Sequence, residues 1–351
     1  MIDFQACSDK ILLYKCNTVI WEVQKMKVKK FIALLLSAAM CLLFFAGCAE
    51  NQSDSDKTYK VGVLQLVQHE ALDAATKGFQ DALKEKLGDR VTITVQNAAG
   101  DSPTCSTIAN QFVADNVDLI MANATGAMQA AAAATAEIPI VATSVTDYAT
   151  GLEISNWTGK TGMNITGTSD LAPLDQQAAM IKELVPDAKT VGILYCSAEA
   201  NSKYQSDVIS AALNDLGIAT KVYTFADSND VAAVATTACS EVDVLFVPTD
   251  NTAASNTGII DSIAAPAKIP VVAGEEGICK GCGIATLSID YYSIGYNAGL
   301  MAYDILVNGA NPADMEIGFA TDLTKKYVES RCADLGITVP SDYVALEIAA
   351  K

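Results

Sequence analysis

The sequence predicts an α/β protein built from two lobes, each with a parallel sheet, joined by a hinge. The first observation is a repeated pattern, in which an apolar, strand-like run is followed by an Ala-rich helical run. The second is an interruption at residues 164–170, where a β-branched run ends at small hydroxyl residues and a carboxylate. A chain of 351 residues is also long enough for two domains with hydrophobic cores. We therefore expect a cleft beside residues 164–170.

The first lobe begins at residues 59–66, whose near-continuous apolar run is typical of a parallel strand covered on both faces. Residues 72–87 carry apolar side chains at helical spacing and end at Gly88. The same patterns predict further strands over 91–95, 118–122 and 138–143, and helices over 104–115 and 125–136. Strands that alternate with helices need right-handed crossovers, so the sheet is expected to be parallel.

Ligands of such sheets bind at the carboxyl ends of the strands. Thr125 and Gly126 follow the third predicted strand and open a helix, where unpaired amides and a hydroxyl can hold a carboxylate. Helix capping explains these two residues about equally well. His69, the one histidine of the chain, follows the first strand, and we interpret it as a loop or capping residue because no proton-transfer partner can be named for it.

The second lobe continues the pattern and then the chain returns. The predicted strands cover 190–196, 219–225, 242–247 and 269–273, and the predicted helices cover 175–184, 205–216, 230–239 and a segment that ends at 264. Residues 283–289 are strand-like, a long helix runs from Asp290 to Val307, and 315–319 and 323–328 are predicted to be short strands. We therefore assign residues 58–165 and 283–351 to the first lobe and 166–282 to the second.

Composition excludes several function classes. The formal net charge of −18 would repel phosphate backbones, so no nucleic acid partner is expected. One histidine leaves almost nothing for catalytic triads or multi-His metal sites, and we expect neither a metal nor a cofactor. Cys279 and Cys282 could be a metal half-site or a redox pair, but a local loop disulfide or two idle thiols is the simpler interpretation.

The amino terminus has the features of a lipoprotein signal. Residues 26–47 contain a basic start, an apolar core and small residues before Cys48, which predicts a signal peptide and a lipidated cysteine. Residues 48–57 are polar, as in a flexible tether, and residues 1–25 are interpreted as a non-native upstream extension. The expected location is the extracytoplasmic face of the cell membrane, with lipid at Cys48 as the anchor.

Several stretches of the chain resemble one family. They are 164–170 (NITGTSD), 200–202 (ANS), 248–251 (PTDN), 290–295 (DYYSIG) and 335–340 (LGITVP). In their order and spacing they are similar to the substrate-binding component of ABC importers, in the subgroup associated with tryptophan and other aromatic amino acids. The chain departs from that pattern at Glu70, where proline is expected, and at Tyr327, where asparagine is expected.

The resemblance implies a fold and a function. It implies two Rossmann-like lobes of the periplasmic binding protein-like kind, a small amino acid ligand of the aromatic type (tryptophan, phenylalanine or tyrosine), and an ABC permease as partner. The ligand would be held in the cleft between the lobes. The residues expected there are Thr125, Gly126, Thr168, Ser169, Asp170, Asn201, Asp250, Asn251, Asp290 and Tyr291.

The chemistry of an amino acid suggests roles for some of these residues. Its carboxylate needs fixed donors, which Thr168 and Ser169 could supply as hydroxyls and Thr125 could share. Its ammonium needs a counter-charge, for which Asp250 and Asp290 are candidates. Aspartate is also a favoured residue at helix starts, so capping is the alternative for both.

Two other functions stay open at this point. An exported enzyme could use acidic residues or cysteines in the same cleft, but no nucleophile has a recognisable base and neither a phosphate loop nor a GxSxG motif is present. A lipid-anchored sensor that docks on a receptor would share the fold and the ligand, as would a binding protein for another small polar solute. The expectation is therefore a binding protein and not an enzyme, with no catalytic residues.

Overall fold

The computed structural model describes residues 57–348. The unit that begins at Thr58 is compact and contains both lobes. The predicted signal peptide, Cys48 and nearly all of the tether lie outside the described residues. Within the described residues, no helix is both long and apolar enough to cross a membrane.

Helices and strands alternate from the first described residues, and we number each type in chain order. The first part of the chain contains β1 (Tyr59–Gln65), α1 (Glu70–Leu87), β2 (Val91–Asn97), α2 (Ser102–Ala114), β3 (Leu119–Asn123), α3 (Thr125–Ala134), β4 (Ile140–Val145), α4 (Tyr148–Gly151) and β5 (Ile165–Ser169). The middle contains α5 (Leu174–Leu184), β6 (Thr190–Cys196), α6 (Ala200–Asp215), β7 (Ala219–Phe225), α7 (Val231–Cys239), β8 (Val244–Val247), α8 (Asn251–Ser255), α9 (Thr257–Ala267), β9 (Val271–Ala273), α10 (Glu276–Cys282) and β10 (Ala285–Ser288). The last part contains α11 (Tyr291–Asn308), β11 (Gly318–Phe319), β12 (Thr324–Tyr327), α12 (Glu329–Leu335) and β13 (Val344–Ala345).

Within residues 57–348 the strands form two separate sheets. The first has the order β11-β5-β4-β3-β1-β2 and the second the order β13-β12-β10-β9-β8-β6-β7. All neighbouring strands run parallel except β10 and β12, which are antiparallel. The predicted fold, two Rossmann-like lobes with parallel sheets, is confirmed.

Each sheet is covered by helices on both faces. Successive side chains of a strand point to opposite sides of the sheet, so neighbouring residues pack against different helices. In the first lobe, Val61 and Val63 pack in one cluster with residues of α1 and α11, whereas Leu64 packs in another with residues of α2 and α3. In the second lobe, Ile193 faces α5 and α6, and Leu194 faces α7, α9 and α10. This two-sided burial explains the continuous apolar runs in the sequence.

The predicted lobe boundaries need correction. Thr168 and Ser169 pair within the first sheet, although the sequence placed them in the second lobe. The strands β10, β12 and β13 join the second sheet, although residues after 283 were assigned to the first lobe. The reason is that β10 pairs in parallel with β9, and a strand's own pattern does not specify its neighbour. The helix α11 and the strand β11 do return to the first lobe.

The described chain therefore crosses between the lobes three times. The crossings are residues 170–173 after β5, residues 289–290 before α11, and residues 320–323 between β11 and β12. Three parallel connections allow the lobes to rotate about a common axis as rigid bodies, which is the geometry of a hinge.

The segment around Cys279 and Cys282 is a helix, α10, and not the loop that the sequence suggested. Both thiols are free and buried in the core of the second lobe. Burial raises the pKa of Cys279 well above its usual value and that of Cys282 to about 12. Of the two interpretations, idle thiols fit this structure and a loop disulfide does not.

Glycines allow α1 and α11 to pack backbone against backbone. A Cβ atom at Gly295 would overlap the carbonyl oxygen of Ala75, and one at Gly78 would overlap that of Tyr292. Because both obstructions are main-chain atoms, no side-chain rearrangement can relieve them. This close contact makes α1, α11 and the first sheet one rigid layer.

Replacing Gly295 with alanine should therefore destabilise the fold. We expect Gly295→Ala to lower the free energy of unfolding by about 1–3 kcal/mol or more, because the helices must separate to admit the methyl group. Urea denaturation monitored by circular dichroism measures the change. Gly258→Ala in α9 is the matched control, since its Cβ meets nothing within 4 Å and the change should be neutral or slightly stabilising. Equal stabilities for the two variants would contradict the close packing.

Candidate functional site

A cavity of about 440 Å³ lies between the lobes, at the carboxyl ends of their strands. From the first lobe it is lined by Leu66, Val67, Gly100, Ser102, Gly126 and Gln129, among others. From the second lobe it is lined by Cys196, Glu199, Asn201, Asp227, Asn251 and Thr252, among others. We call it the interlobe cavity. Its position agrees with the rule that parallel sheets bind ligands beyond the carboxyl ends of their strands.

Several helices begin at this cavity. The helices α2, α3, α6 and α8 all contribute residues from their first turn or from just before it. Ala124, at the start of α3, has φ of 91° and no side-chain acceptor for the free amides of that turn. Helix amino termini carry partial positive charge, and because α3 has no side-chain cap its start favours a bound anionic group such as a carboxylate.

The carboxylate of Glu199 organises the second-lobe side of the cavity. Its Oε1 accepts hydrogen bonds from the backbone amide and the hydroxyl of Thr252, both at 2.9 Å. Its Oε2 accepts from the amide of Asn251 at 3.0 Å, from Asn251 Nδ2 at 2.7 Å and from Asn201 Nδ2 at 3.2 Å. Glu199 is therefore held rigidly at the start of α8, beside the cavity, as a fixed negative charge.

His69 connects the two lobes across the cleft. Its Nε2 lies 3.2 Å from Asn251 Oδ1, while the buried Nδ1 has no hydrogen-bond partner. Burial lowers the pKa of His69, and the hydrogen bond to Asn251 opposes that shift without cancelling it. The ring is thus neutral at neutral pH and serves as a polar contact between lobes. The residue occupies the position that precedes α1, as the sequence predicted.

The structure brings together part of the predicted site. Gly126, Asn201 and Asn251 all line the interlobe cavity, and Thr125 is buried at the first position of α3. Their contact with a ligand stays a prediction. Glu199 was missed as a site residue, although it follows directly after a predicted strand, where the same strand-end rule would have found it.

Asp250 and Asp290 are helix caps and are not among the residues that line the interlobe cavity, so their role as counter-charges stays a prediction. The Asp250 carboxylate accepts from the Ala253 amide at 2.7 Å, the Cys196 amide at 2.8 Å and the Ser202 hydroxyl at 2.7 Å. Burial, reinforced by the charge of Glu199, raises its pKa to about 8. Asp290 is exposed and accepts from the amide and the hydroxyl of Ser293. The capping alternative explains both.

The other predicted residues lie in the hinge. Thr168 Oγ1 donates to the carbonyl of Ile294 at 3.1 Å, and Ser169 Oγ donates to the carbonyl of Thr146 at 2.9 Å. Asp170 accepts from the hydroxyl of Tyr291 at 2.9 Å and from that of Thr146 at 3.1 Å. We call Thr146, Thr168, Ser169, Asp170 and Tyr291 the hinge cluster. It ties the first crossing to the second, so these residues position the lobes.

Asp170 is an unusual carboxylate because its described hydrogen-bond partners carry no positive charge. It is buried, and burial raises its pKa from 3.8 to about 6, although the hydrogen bonds from Tyr291 and Thr146 oppose the shift. The folded protein therefore binds the proton of Asp170 more tightly than the unfolded chain does.

The stability of the protein should depend on pH through Asp170. Its contribution is present below about pH 4, where both states are protonated, and is lost as pH rises to about 6, since the folded state then loses the tighter-held proton. Between these pH values, we expect the free energy of unfolding of Asp170→Asn to rise relative to that of the wild type by on the order of 2 kcal/mol. Chemical denaturation across the pH range measures the difference. A constant difference at every pH would refute the raised pKa.

No metal site is evident in the described part of the chain, where no group of three or more His, Cys, Asp or Glu side chains converges. The residues that line the interlobe cavity among those described include two carboxylates, Glu199 and Asp227, and no lysine or arginine. Polar anchors, helix amino termini and a few apolar side chains make this a site for a small polar molecule.

Known proteins resemble this chain over most of its length. Residues 60–348 match the family described as ABC transporter substrate binding protein. A tyrosine-binding protein from Clostridioides difficile strain R20291 is 37% identical over 307 residues, which cover 83% of this chain and 88% of the relative.

Two solved structures are similar to this chain in both sequence and fold. One is an ABC domain in complex with L-Trp from Streptococcus pneumoniae, with a TM-score of 0.78 and 34% identity, covering 81% of this chain and 97% of that one. The other is the ligand-free, open structure of a substrate binding protein with adhesive properties from Clostridium difficile. Its TM-score is 0.64 at 36% identity, and the match covers 83% of this chain and 100% of that one.

Proposed function

Because the chain belongs to the family of ABC transporter substrate-binding proteins, we propose that it captures an aromatic amino acid in the interlobe cavity and delivers it to a membrane permease. The observation that carries the proposal is the juxtaposition, in one cavity, of the uncapped amino terminus of α3 from the first lobe and the fixed carboxylate of Glu199 from the second. A zwitterion needs both kinds of group.

The two ends of an amino acid fit the two sides of the cavity. Its carboxylate would lie at the start of α3, where the amides near Thr125 and Gly126 are not capped by a side chain. Its ammonium would donate to Glu199, Asn201 or Asn251. A volume of about 440 Å³ is large enough for an aromatic side chain, with Leu66 and Val67 as an apolar wall.

The relatives favour an aromatic ligand. One bears the name tyrosine-binding protein and another was solved with L-Trp. This chain also superposes better on the L-Trp complex than on the ligand-free, open relative, although its sequence identity to the two is similar. The described arrangement is thus nearer to that of the L-Trp complex than to that of the open relative, which supports a cycle in which the hinge closes on the ligand.

We propose binding rather than catalysis at this site. Cys196 lines the interlobe cavity and would be the natural nucleophile of an enzyme there. Burial raises the pKa of Cys196, however, so the thiol is protonated at neutral pH and unreactive.

Glu199→Gln should weaken the binding of tyrosine, phenylalanine or tryptophan by more than about tenfold. The substitution removes the charge that faces the ammonium, and losing one partner of a charged hydrogen bond costs on the order of 1.5–3 kcal/mol. Isothermal titration calorimetry on a protein that begins at Thr58 measures the dissociation constants; that unit is compact by itself.

Asp207→Asn is the control for that experiment, because it removes an exposed carboxylate from the same helix, α6. Its affinity should equal that of the wild type. The aromatic assignment fails if the wild type binds a sugar or a branched aliphatic amino acid and none of the three aromatic ones. The role of Glu199 fails if Glu199→Gln binds as tightly as the wild type.

The proposed anchor is lipid on Cys48. The basic start, apolar core and small residues before Cys48 support cleavage and lipidation there. One acyl chain binds membranes only marginally, so a diacyl modification is the form that would hold the protein at the extracytoplasmic face of the cell membrane.

We expect Cys48→Ala to release the protein from the membrane fraction or to leave its signal uncleaved. Metabolic labelling with a fatty acid, followed by membrane fractionation, measures both effects. Cys105→Ala is a suitable control, since Cys105 is buried in the first lobe and offers no exposed thiol to a lipid-transferring enzyme. Membrane-bound, cleaved and unlabelled Cys48→Ala protein would exclude the anchor.

A further inference from the structure

Two consecutive residues of the first lobe reach across the cleft to the second. His69 lies against Asn251, as described above, and the carboxylate of Glu70 forms an ion pair with Lys280 Nζ on α10. The backbones are also close here, since a Cβ at Gly277 would lie 3.5 Å from Cβ of Glu70. The start of α1 is therefore a direct contact of the closed lobes.

Lys280 is held in place by its own lobe. Its Nζ lies 2.9 Å from Glu276 Oε1, and Glu276 Oε2 in turn accepts from Lys326 at 2.5 Å and from Ser288 at 2.8 Å. Burial would raise the pKa of Glu276, but the hydrogen bonds from Lys326 and Lys280 outweigh it and lower the pKa to about 2. The lysine is thus presented by a charged network that stays intact when the lobes separate.

Neither member of the cross-lobe pair lines the interlobe cavity. Glu70 and Lys280 instead line a second, larger cavity of about 1020 Å³, which His69 also lines. They cannot touch a ligand bound beside Glu199 unless the cleft rearranges. Any effect of theirs on ligand affinity must act through the position of the lobes.

We propose that Glu70 and Lys280 form an ionic latch, which stabilises the closed form and so raises the affinity for ligand without contacting it. The inference rests on the proposed function, in which the lobes close on the ligand. The pair joins residues of the two lobes, so in this proposal a rotation of the lobes about the hinge breaks it. A higher closed fraction lowers the apparent dissociation constant in proportion.

The strength and the salt dependence of the latch follow from its exposure. The side chain of Glu70 is 56% exposed and that of Lys280 is 28% exposed, so water and salt screen the pair. An exposed pair changes an equilibrium by about two- to fivefold. Ligand affinity should therefore fall by this factor as ionic strength rises, even for an amino acid without net charge.

The test compares Glu70→Gln, Lys280→Gln and the double variant, in the protein that begins at Thr58. Calorimetric titration with L-tyrosine and with L-tryptophan, at low and at high ionic strength, gives the dissociation constants. We expect each single variant to bind about two- to fivefold more weakly at low salt and to lose part of the salt dependence. The double variant should be no weaker than the weaker single variant, because the pair is one interaction.

Glu241→Gln is the matched control. Glu241 also pairs with a lysine, Lys221, but both residues belong to the second lobe and the pair does not cross the cleft. This variant should keep the wild-type affinity and salt dependence. The melting temperature of each ligand-free variant should stay near that of the wild type, since the latch acts between lobes and not within a core.

Small-angle X-ray scattering of the ligand-free proteins reports the same equilibrium without a ligand. We expect the radius of gyration of Glu70→Gln to equal or exceed that of the wild type, and never to fall below it. Unchanged affinity and salt dependence in Glu70→Gln, together with an unchanged radius, would overturn the latch. Suppose that the wild type binds neither amino acid but that Glu70→Gln has a larger radius of gyration than the wild type. The latch then stands and the proposed ligand is wrong.

Discussion

A buried carboxylate at the hinge constrains the whole structure. Asp170 lies where the chain first leaves the first lobe, and it accepts hydroxyl hydrogen bonds from Tyr291, where the chain returns, and from Thr146 at the end of a neighbouring strand. A carboxylate without a cationic partner is costly to bury, so these donors must stay in place in the folded state. Two crossings are therefore held in register, and the lobes can move only about them.

Rigidity inside each lobe gives that hinge its function. The glycines of α1 and α11 join two helices and a sheet into one layer, and the second lobe buries its strands between helices on both faces. Because neither lobe can deform easily, the proposed opening and closing would change the contacts between lobes and leave the lobe interiors unchanged. The contacts between lobes include those of His69 and Glu70.

The electrostatics of the cavity reflect a chain that is acidic throughout. The protein has a net charge of −18, and no lysine or arginine is among the described residues that line the interlobe cavity. Attraction for a ligand carboxylate must then come from backbone amides at helix starts, whose partial charges are fixed by the fold. Glu199 supplies the opposite charge, and its position depends on donors from α8. This pairing of charges is the basis of the proposed binding of a zwitterion.

Much of the fold and part of the site could be read from the sequence. Hydrophobic periodicity identified the strands and helices, because a strand buried on both faces and an amphipathic helix leave different local patterns. The strand-end rule placed Gly126 near the cleft, since the carboxyl ends of parallel strands meet at one edge, and the family resemblance placed Asn201 and Asn251 there. Helices, strands and strand ends can be predicted in this way because each depends on residues that are close together in the sequence.

Tertiary structure alone decided the rest. Which sheet receives β10 and β12 depends on main-chain pairing between distant segments, which no local pattern specifies. Which carboxylate faces the cavity also depends on contacts between distant segments of the chain. Asp250 and Asp290 begin helices, where an aspartate can either cap the helix or face a ligand, and both cap. Glu199 faces the cavity because the amides of α8 hold it there, and those amides come from a segment about fifty residues further along the chain.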